Sequence, residues 1–271
     1  MNERIVFIGG GNMASAMIGG MLRQGFPAEQ LDVVDPLPSA QEQLRKQFGI
    51  RVTNQGYPAL EQATLVIWAV KPQSLKEATI AARLYTRNAL HLSVAAGVRS
   101  DTIAQWLDNQ HVVRAMPNTP ALIGKGISAL FARAAVSEPQ RRQIERIAAS
   151  TGEYLWLSSE SQLDAATAIS GSGPAYMFYF METMTAAGIE MGLTHEQAYK
   201  LTVATFIGAG ELARTSSDPP EILRQRVTSK GGTTHAAITS MEDNHLKHVF
   251  TTALHAAQHR AKEMGDTFGQ E

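Results

Sequence analysis

Residues 4–14 read RIVFIGGGNMA, and they restrict the fold more than any other stretch of the chain. Arg4 to Ile8 is a short β-branched apolar run ending in glycine, the pattern of a strand buried in a parallel sheet. Gly9, Gly11 and Ala14 then match G-x-G-x-x-A, and a helical pattern, MASAMIGGMLRQG, follows. The first glycine permits a tight turn, the second lets a pyrophosphate approach the backbone, and Ala14 keeps helix and strand close. Set strand–turn–helix, the motif predicts dinucleotide binding, with Gly9, Gly11, Asn12 and Met13 around the phosphates.

The alternation of strands and helices continues. Leu31 to Asp35 is a second strand closing on an acidic residue 21 positions after Ala14. Asp35 is therefore expected at the adenosine ribose, where its charge disfavours a 2′-phosphate; Ser39 is a hydroxyl available to one, so NADPH and NADH both remain open as the cofactor. A helix over 39–48 and strands over 51–53 and 65–70 come next. Ala69, Val70, Lys71 and Pro72 end that last strand where a loop crosses above the cofactor. Lys71 reads equally well as a solvated loop lysine. After the strand 89–94, Ala95-Ala96-Gly97 is small enough for a nicotinamide ring to lie close. The strand 111–115 runs into Met116-Pro117-Asn118-Thr119-Pro120, where two prolines stiffen a loop that holds Asn118 at the sheet's carboxyl edge. Strands over 127–131 and 154–157, with a helix over 138–150 between them, finish the sheet.

After about residue 159 the strand signal stops. Helical runs cover 162–192, interrupted by Gly171-Ser172-Gly173-Pro174, then 195–215, 220–226 and 244–264. Ala, Met and Gly dominate them, and they are apolar around more of their circumference than one monomeric bundle needs, which predicts burial against a second subunit. The division expected is 1–159 and 160–271.

Between the last two helical runs lies VTSKGGTTHAAI at 227–238. Two glycines let the backbone turn sharply, and a helix predicted from about Ala236 adds free N–H donors and a partial positive charge, so the loop is shaped to hold a small anion. The plainer reading is an ordinary helix start capped by Thr233 or Thr234.

Composition narrows the field. Lys plus Arg is 24 against 25 for Asp plus Glu, so no basic excess draws nucleic acid. Cysteine is absent, which removes disulfide and thiolate chemistry and fits a reducing cytoplasm. The first residues lack the features of a signal peptide, and no apolar run approaches the ~20 residues of a membrane span. His91, His111, His245, His248, His255 and His259 show no metal-ligand spacing and read as surface or packing residues, so no metal is expected.

Five stretches together, IGGGNMA at 8–14, AVKPQ at 69–73, RAMPNTPA at 114–121, SGSGPAY at 170–176 and VTSKGGTTHAAI at 227–238, resemble the pyrroline-5-carboxylate reductase family. The family's loop commonly has proline where this chain has Lys230 and an apolar residue where it has His235. The resemblance implies an α/β N-terminal Rossmann-like domain, its sheet mostly parallel, followed by an all-α dimerisation domain interlocked with its partner's. It implies NADPH or NADH as cofactor, and a homodimer able to assemble into a larger ring, with the loop from one subunit and the dinucleotide from the other. By position, Ser229, Gly231, Gly232 and Thr233 would hold the substrate carboxylate, with Asn118 as a further substrate contact, and Thr234 would face the ring nitrogen as the catalytic group. The inventory agrees: a protonated imine is already electrophilic and needs positioning more than a strong acid. The helix opened by Gly173-Pro174 reads AYMFYFMETMT, without the lysine that hydroxy-acid dehydrogenases use to protonate an alkoxide. A β-hydroxy-acid or opine-type reductase, or a catalytically silent nucleotide-binding protein, are the alternatives.

Overall fold

The computed structural model describes residues 3–54 and 60–268. The chain divides into two compact units: Met1–Ser172 together with Ala257–Glu271, and Gly173–Ala256. In the first, the strands are β1 (Ile5–Ile8), β2 (Leu31–Val34), β3 (Arg51–Thr53), β4 (Leu65–Trp68), β5 (Leu90–Ser93), β6 (Val112–Met116), β7 (Gly126–Ala132) and β8 (Gly152–Trp156). They form one sheet in the order β3-β2-β1-β4-β5-β6-β7-β8. All pairs from β3 to β6 are parallel, β7 runs antiparallel to β6, and β8 is parallel to β7. Every expected strand is present, each ending within two residues of its expected limits.

The two-residue period of the strands sorts their side chains into two cores. Ile5, Phe7, Leu31, Val33, Ile67 and Leu92 share one face with Ala14, Ile18, Met21, Leu44, Ile144 and Ile147 from helices Asn12–Arg23, Pro38–Phe48 and Glu138–Ala149. Val6, Ile8, Val66 and Trp68 point the other way, onto Leu75, Ala82, Ile103 and Leu107 of helices Pro72–Ala82 and Ser100–Leu107. β1 and β4 are thus apolar at every position because both faces are covered.

This unit takes in residues 160–172 and the end of the last helix for electrostatic and steric reasons. Glu160 accepts from the Ser100 amide at 2.6 Å, the Ser100 hydroxyl at 2.7 Å and Arg114 at 2.7 Å. Arg99 places its fork on both oxygens of Asp164, at 2.9 and 2.8 Å. At the other end of the chain, Gly265 lies against the Arg99 guanidinium and Met264 against Gly97. These contacts fix residues 160–172 and the last helical turns to the sheet unit.

In the second unit the helices are Gly173–Glu190, His195–Thr215, Pro220–Arg226 and Thr233–Asp243, with the first part of Leu246–Phe268. Thr194 opens the second of these with a capping box to Gln197. The 18-residue helix Gly173–Glu190 buries only Thr185, while Phe178, Tyr179, Met191 and Ile207 are each more than 60% exposed.

His91, read from sequence as a surface or packing residue, is fully buried in β5. It stacks on Trp68, whose indole N–H donates to Nδ1 at 3.2 Å, so the ring proton belongs on Nε2. Burial pushes its pKa down to about 3, with a hydrogen bond at the Thr86 backbone opposing. Above pH 6.5 the ring is neutral in folded and unfolded chains alike; below it the unfolded chain takes up a proton that the folded one refuses until about pH 3. His91 therefore removes roughly 1.4 kcal/mol of stability for each pH unit of acidification across that window. We predict that denaturant unfolding at pH 6.5 and 4.5 will show a smaller acid loss for His91→Gln than for wild type, by roughly 2 kcal/mol. Equal losses would remove His91 from the account.

Candidate active site

Five connections meet along the carboxyl edge of the parallel strands: Gly9–Gly11 after β1, Asp35 after β2, Ala69–Pro72 after β4, Ala95 after β5 and Pro117–Asn118 after β6. Gly9 adopts φ +97°, and a Cβ there would sit 2.6 Å from the Ala69 carbonyl oxygen. Its N–H donates to Val34 O at 2.9 Å, and the Ala69 N–H to Ile8 O at 2.8 Å. Gly11 then caps the helix Asn12–Arg23 with no side-chain cap hydrogen bond. A Cβ on Gly11 would meet nothing within 4 Å. The first-turn amides of a helix have no partner within it, and here they open beside an exposed Gly11 and Asn12 with Met13 half-buried behind. That cradle fits a pyrophosphate.

Lys71 is the exposed N-cap of the next helix, whose first residue is Pro72; Ala69 and Val70 are half-buried beneath it. Ala95 is buried, its amide donating to the Ser93 hydroxyl at 3.3 Å. Asn118 accepts the Ile127 N–H on its carboxamide oxygen at 3.0 Å, which leaves its NH₂ as the end able to face a ligand. Asp35 is 7% exposed and already engaged: Oδ2 accepts the Gly10 N–H at 2.7 Å and Oδ1 the Leu37 N–H at 2.8 Å.

The ion network described above supports two of these turns. Arg99 and Ser100 follow directly on the turn after β5, and Arg114 lies two residues before Met116 in β6. Burial pulls the Arg114 guanidinium below its ordinary value while Glu160 opposes the shift; the Asp164 bond holds Arg99 above its own. Gly171, in the π-helical turn Thr167–Gly171, packs on Met116. Sequence reading missed Ser100, Glu160 and Asp164, because no spacing links partners 46 to 65 positions apart.

In the helical unit, Gly231 takes φ +78° and the Gly232 amide donates to Ser229 O at 3.0 Å, closing the turn. The helix begins at Thr233, three residues before the expected Ala236, and its N-cap is Gly232 with no side-chain cap hydrogen bond. Neither Thr233 nor Thr234 performs the capping that the plainer reading assigned them. Ser229, Gly231 and Thr233 are exposed, and Gly232 and Thr234 half-buried. The loop therefore presents open amides beside free-standing hydroxyls, a site for an anion.

A dinucleotide turn in an α/β unit, and an anion-holding glycine loop in a helical one, define a two-unit nicotinamide-dependent oxidoreductase. Residues 160–264 match the family model for pyrroline-5-carboxylate reductase dimerisation, and residues 4–97 one for NADP oxidoreductase, coenzyme F420-dependent. The chain is 43% identical over 269 residues to pyrroline-5-carboxylate reductase from Pseudomonas aeruginosa, covering 98% of each. The pea enzyme of that name is 32% identical over 95% of this chain and 94% of its own. Among solved structures, the reductase from Coxiella burnetii superposes with a TM-score of 0.91 at 37% identity, over 97% of this chain and 99% of that one. That from Plasmodium falciparum, with NADP bound, gives 0.88 at 28%, over 97% and 98%. The chain belongs to the pyrroline-5-carboxylate reductase family.

A valine at Gly11 finds room in the folded chain but occupies the open side of the turn. Gly11→Val is expected to fold with an unchanged Tm and to lose NADPH and NADH binding. Wild-type cofactor affinity in the folded variant would overturn the cradle.

Proposed function

We propose that this protein reduces 1-pyrroline-5-carboxylate to L-proline with NADPH or NADH, the last step of proline biosynthesis, in the cytoplasm and as a homodimer or larger ring. The observation that carries the reading is the uncapped, hydroxyl-flanked loop Ser229–Thr234, in a chain that also holds the dinucleotide turn at Gly9–Gly11. Among the described residues no helix is long and apolar enough to cross a membrane.

In this reading Gly9, Gly11, Asn12 and Met13 hold the pyrophosphate, with Asp35 at the adenosine side and Ala69, Val70, Lys71, Pro72 and Ala95 along the dinucleotide. Ser229, Gly231, Gly232 and Thr233 bind the substrate carboxylate through amides and hydroxyls, and the Asn118 NH₂ is a further substrate contact. When bound, the reduced nicotinamide supplies the hydride that adds to the carbon of the C=N bond. The π-electron pair then moves to nitrogen, which already carries its proton, so a neutral secondary amine results without an acid. Thr234 accepts the iminium N–H before transfer and donates to the amine lone pair afterwards. Positioning and this one polar contact make up the protein's catalytic contribution.

Self-association is supported by the helical unit, whose long helices bury almost nothing within one chain. Oxidation of NADPH and of NADH on adding pyrroline-5-carboxylate tests the activity directly; a purified, folded protein that oxidises neither would refute it. Sedimentation at low micromolar concentration is expected to give a dimer or a multiple of it, and a stable, active monomer contradicts that.

Thr234→Ala is expected to lower kcat by roughly one to two orders of magnitude while cofactor affinity holds, because the contact matters where charge changes. Its Tm should stay near wild type, since no cap is lost and alanine suits a helix interior. Normal kcat per folded molecule would end the catalytic role of Thr234.

A further inference from the structure

Resting on the dinucleotide reading above, we propose that Asp35 is a positioning residue for the phosphate-binding turn and does not select between NADH and NADPH. An acidic residue closing the second strand ordinarily faces the ribose hydroxyls. Here the carboxylate turns inward. It is 7% exposed, and its two oxygens accept different amides, Gly10 N–H at 2.7 Å and Leu37 N–H at 2.8 Å. The second bond spans two residues and folds Asp35-Pro36-Leu37 into a side-chain turn that leads into the helix Pro38–Phe48. The residue's own backbone is held on both sides: its N–H donates to Thr53 O at 2.9 Å, and Gln41 Nε2 donates to its carbonyl at 2.7 Å.

The consequence falls on the glycine turn. Gly9 N–H is held by Val34 O and Gly10 N–H by Asp35, so two successive amides are withdrawn from any ligand. A Cβ on Gly10 would lie 2.6 Å from Leu44 Cδ1 and 3.2 Å from Asp35 Oδ2, so the middle of the turn is clamped against β2 and its helix. Only from Gly11 onward does the turn open. The Asp35 carboxylate thus sets where the free amides point, an effect common to both dinucleotides, and both its oxygens are held by fixed donors and turned from solvent before any 2′-phosphate arrives.

The test titrates NADPH and NADH separately into wild type, Asp35→Asn and Asp35→Ser, following tryptophan fluorescence so that binding is read without turnover. Asparagine can serve one amide but sets its NH₂ against the other. Each variant should bind both dinucleotides about tenfold more weakly, with the NADPH/NADH ratio kept within about twofold. In turnover the loss should appear as an equal rise in the KM for NADPH and for NADH, a pattern that general destabilisation does not produce. A tenfold or larger shift of the ratio towards NADPH overturns the proposal, as does unchanged affinity for both. On the unmodified protein, amide hydrogen exchange gives a reading that needs no variant. The Gly10 and Leu37 amides should be protected, and fast exchange of both overturns the inward carboxylate. Wild type binding neither dinucleotide would instead refute the underlying cofactor reading.

Discussion

Everything at the carboxyl edge depends on how closely β1 can approach β4 as it ends. The Ala69 carbonyl occupies the place where a Cβ on Gly9 would stand, 2.6 Å away, and the backbone turns through φ +97° at that point. A side chain there would collide with backbone, which cannot yield as a rotamer does, and would also be strained in its own conformation. With glycine, the chain reverses within three residues and enters the helix Asn12–Arg23 with its N-terminus at the sheet edge. The flanking hydrogen bonds, Gly9 to Val34 and Ala69 to Ile8, continue the ladder up to the turn, so the opening at Gly11 is placed by the sheet itself.

A second constraint is electrostatic and acts over long sequence distances. Arg114 is 5% exposed in β6, and a buried guanidinium without partners would cost several kcal/mol. Glu160 answers it while also receiving both donors of Ser100, and Asp164 receives the Arg99 fork. One short segment after β8 therefore ties the turn after β5 to the strand that leads to Asn118. Removing one partner of such a network leaves an uncompensated buried charge, so its members are fixed to one another more firmly than surface ion pairs would be.

These two constraints differ in how visible they are in a sequence. The Gly9 turn is local, because strand, glycine and helix are contiguous and each obeys a short-range steric rule. The fold class, the strand limits and the glycine turn itself were legible for that reason. Helices Pro72–Ala82 and Ser100–Leu107 were not read, though both cover a sheet face; the first is exposed at Gln73, Ser74, Glu77 and Ile80 and buries only Leu75, Thr79 and Ala82, so its apolar stripe is thin. The acidic partners of Arg99 and Arg114 were invisible because nothing local announces a pair closed by tertiary structure. Asp35 shows the same limit at a single residue. Its position after β2 was plain, whereas the direction of its carboxylate depended on amides at Gly10 and Leu37 that only the folded turn presents. His91 was likewise left between surface and packing, since a histidine in ALHLSV reads the same whether a strand is central or at an edge.

The loop Ser229–Thr234 shows how a helix start can stay available to a ligand at little cost to the fold. A Ser, Thr, Asp or Asn cap typically adds about 1 kcal/mol by taking one of the unpartnered amides for itself, whereas glycine at the cap gives up only a few tenths. Gly232 makes that exchange: the amides of the first turn stay free, and Thr233 and Thr234, one and two positions inside the helix, keep their hydroxyls out of the capping role. Gly231 permits the reversal at φ +78°, and the Gly232 to Ser229 bond stiffens it. A serine or threonine at 232 would have satisfied the helix and closed the site. The glycine leaves first-turn donors without a partner within the helix, beside the hydroxyls of Ser229, Thr233 and Thr234, and such a set of donors suits an anion.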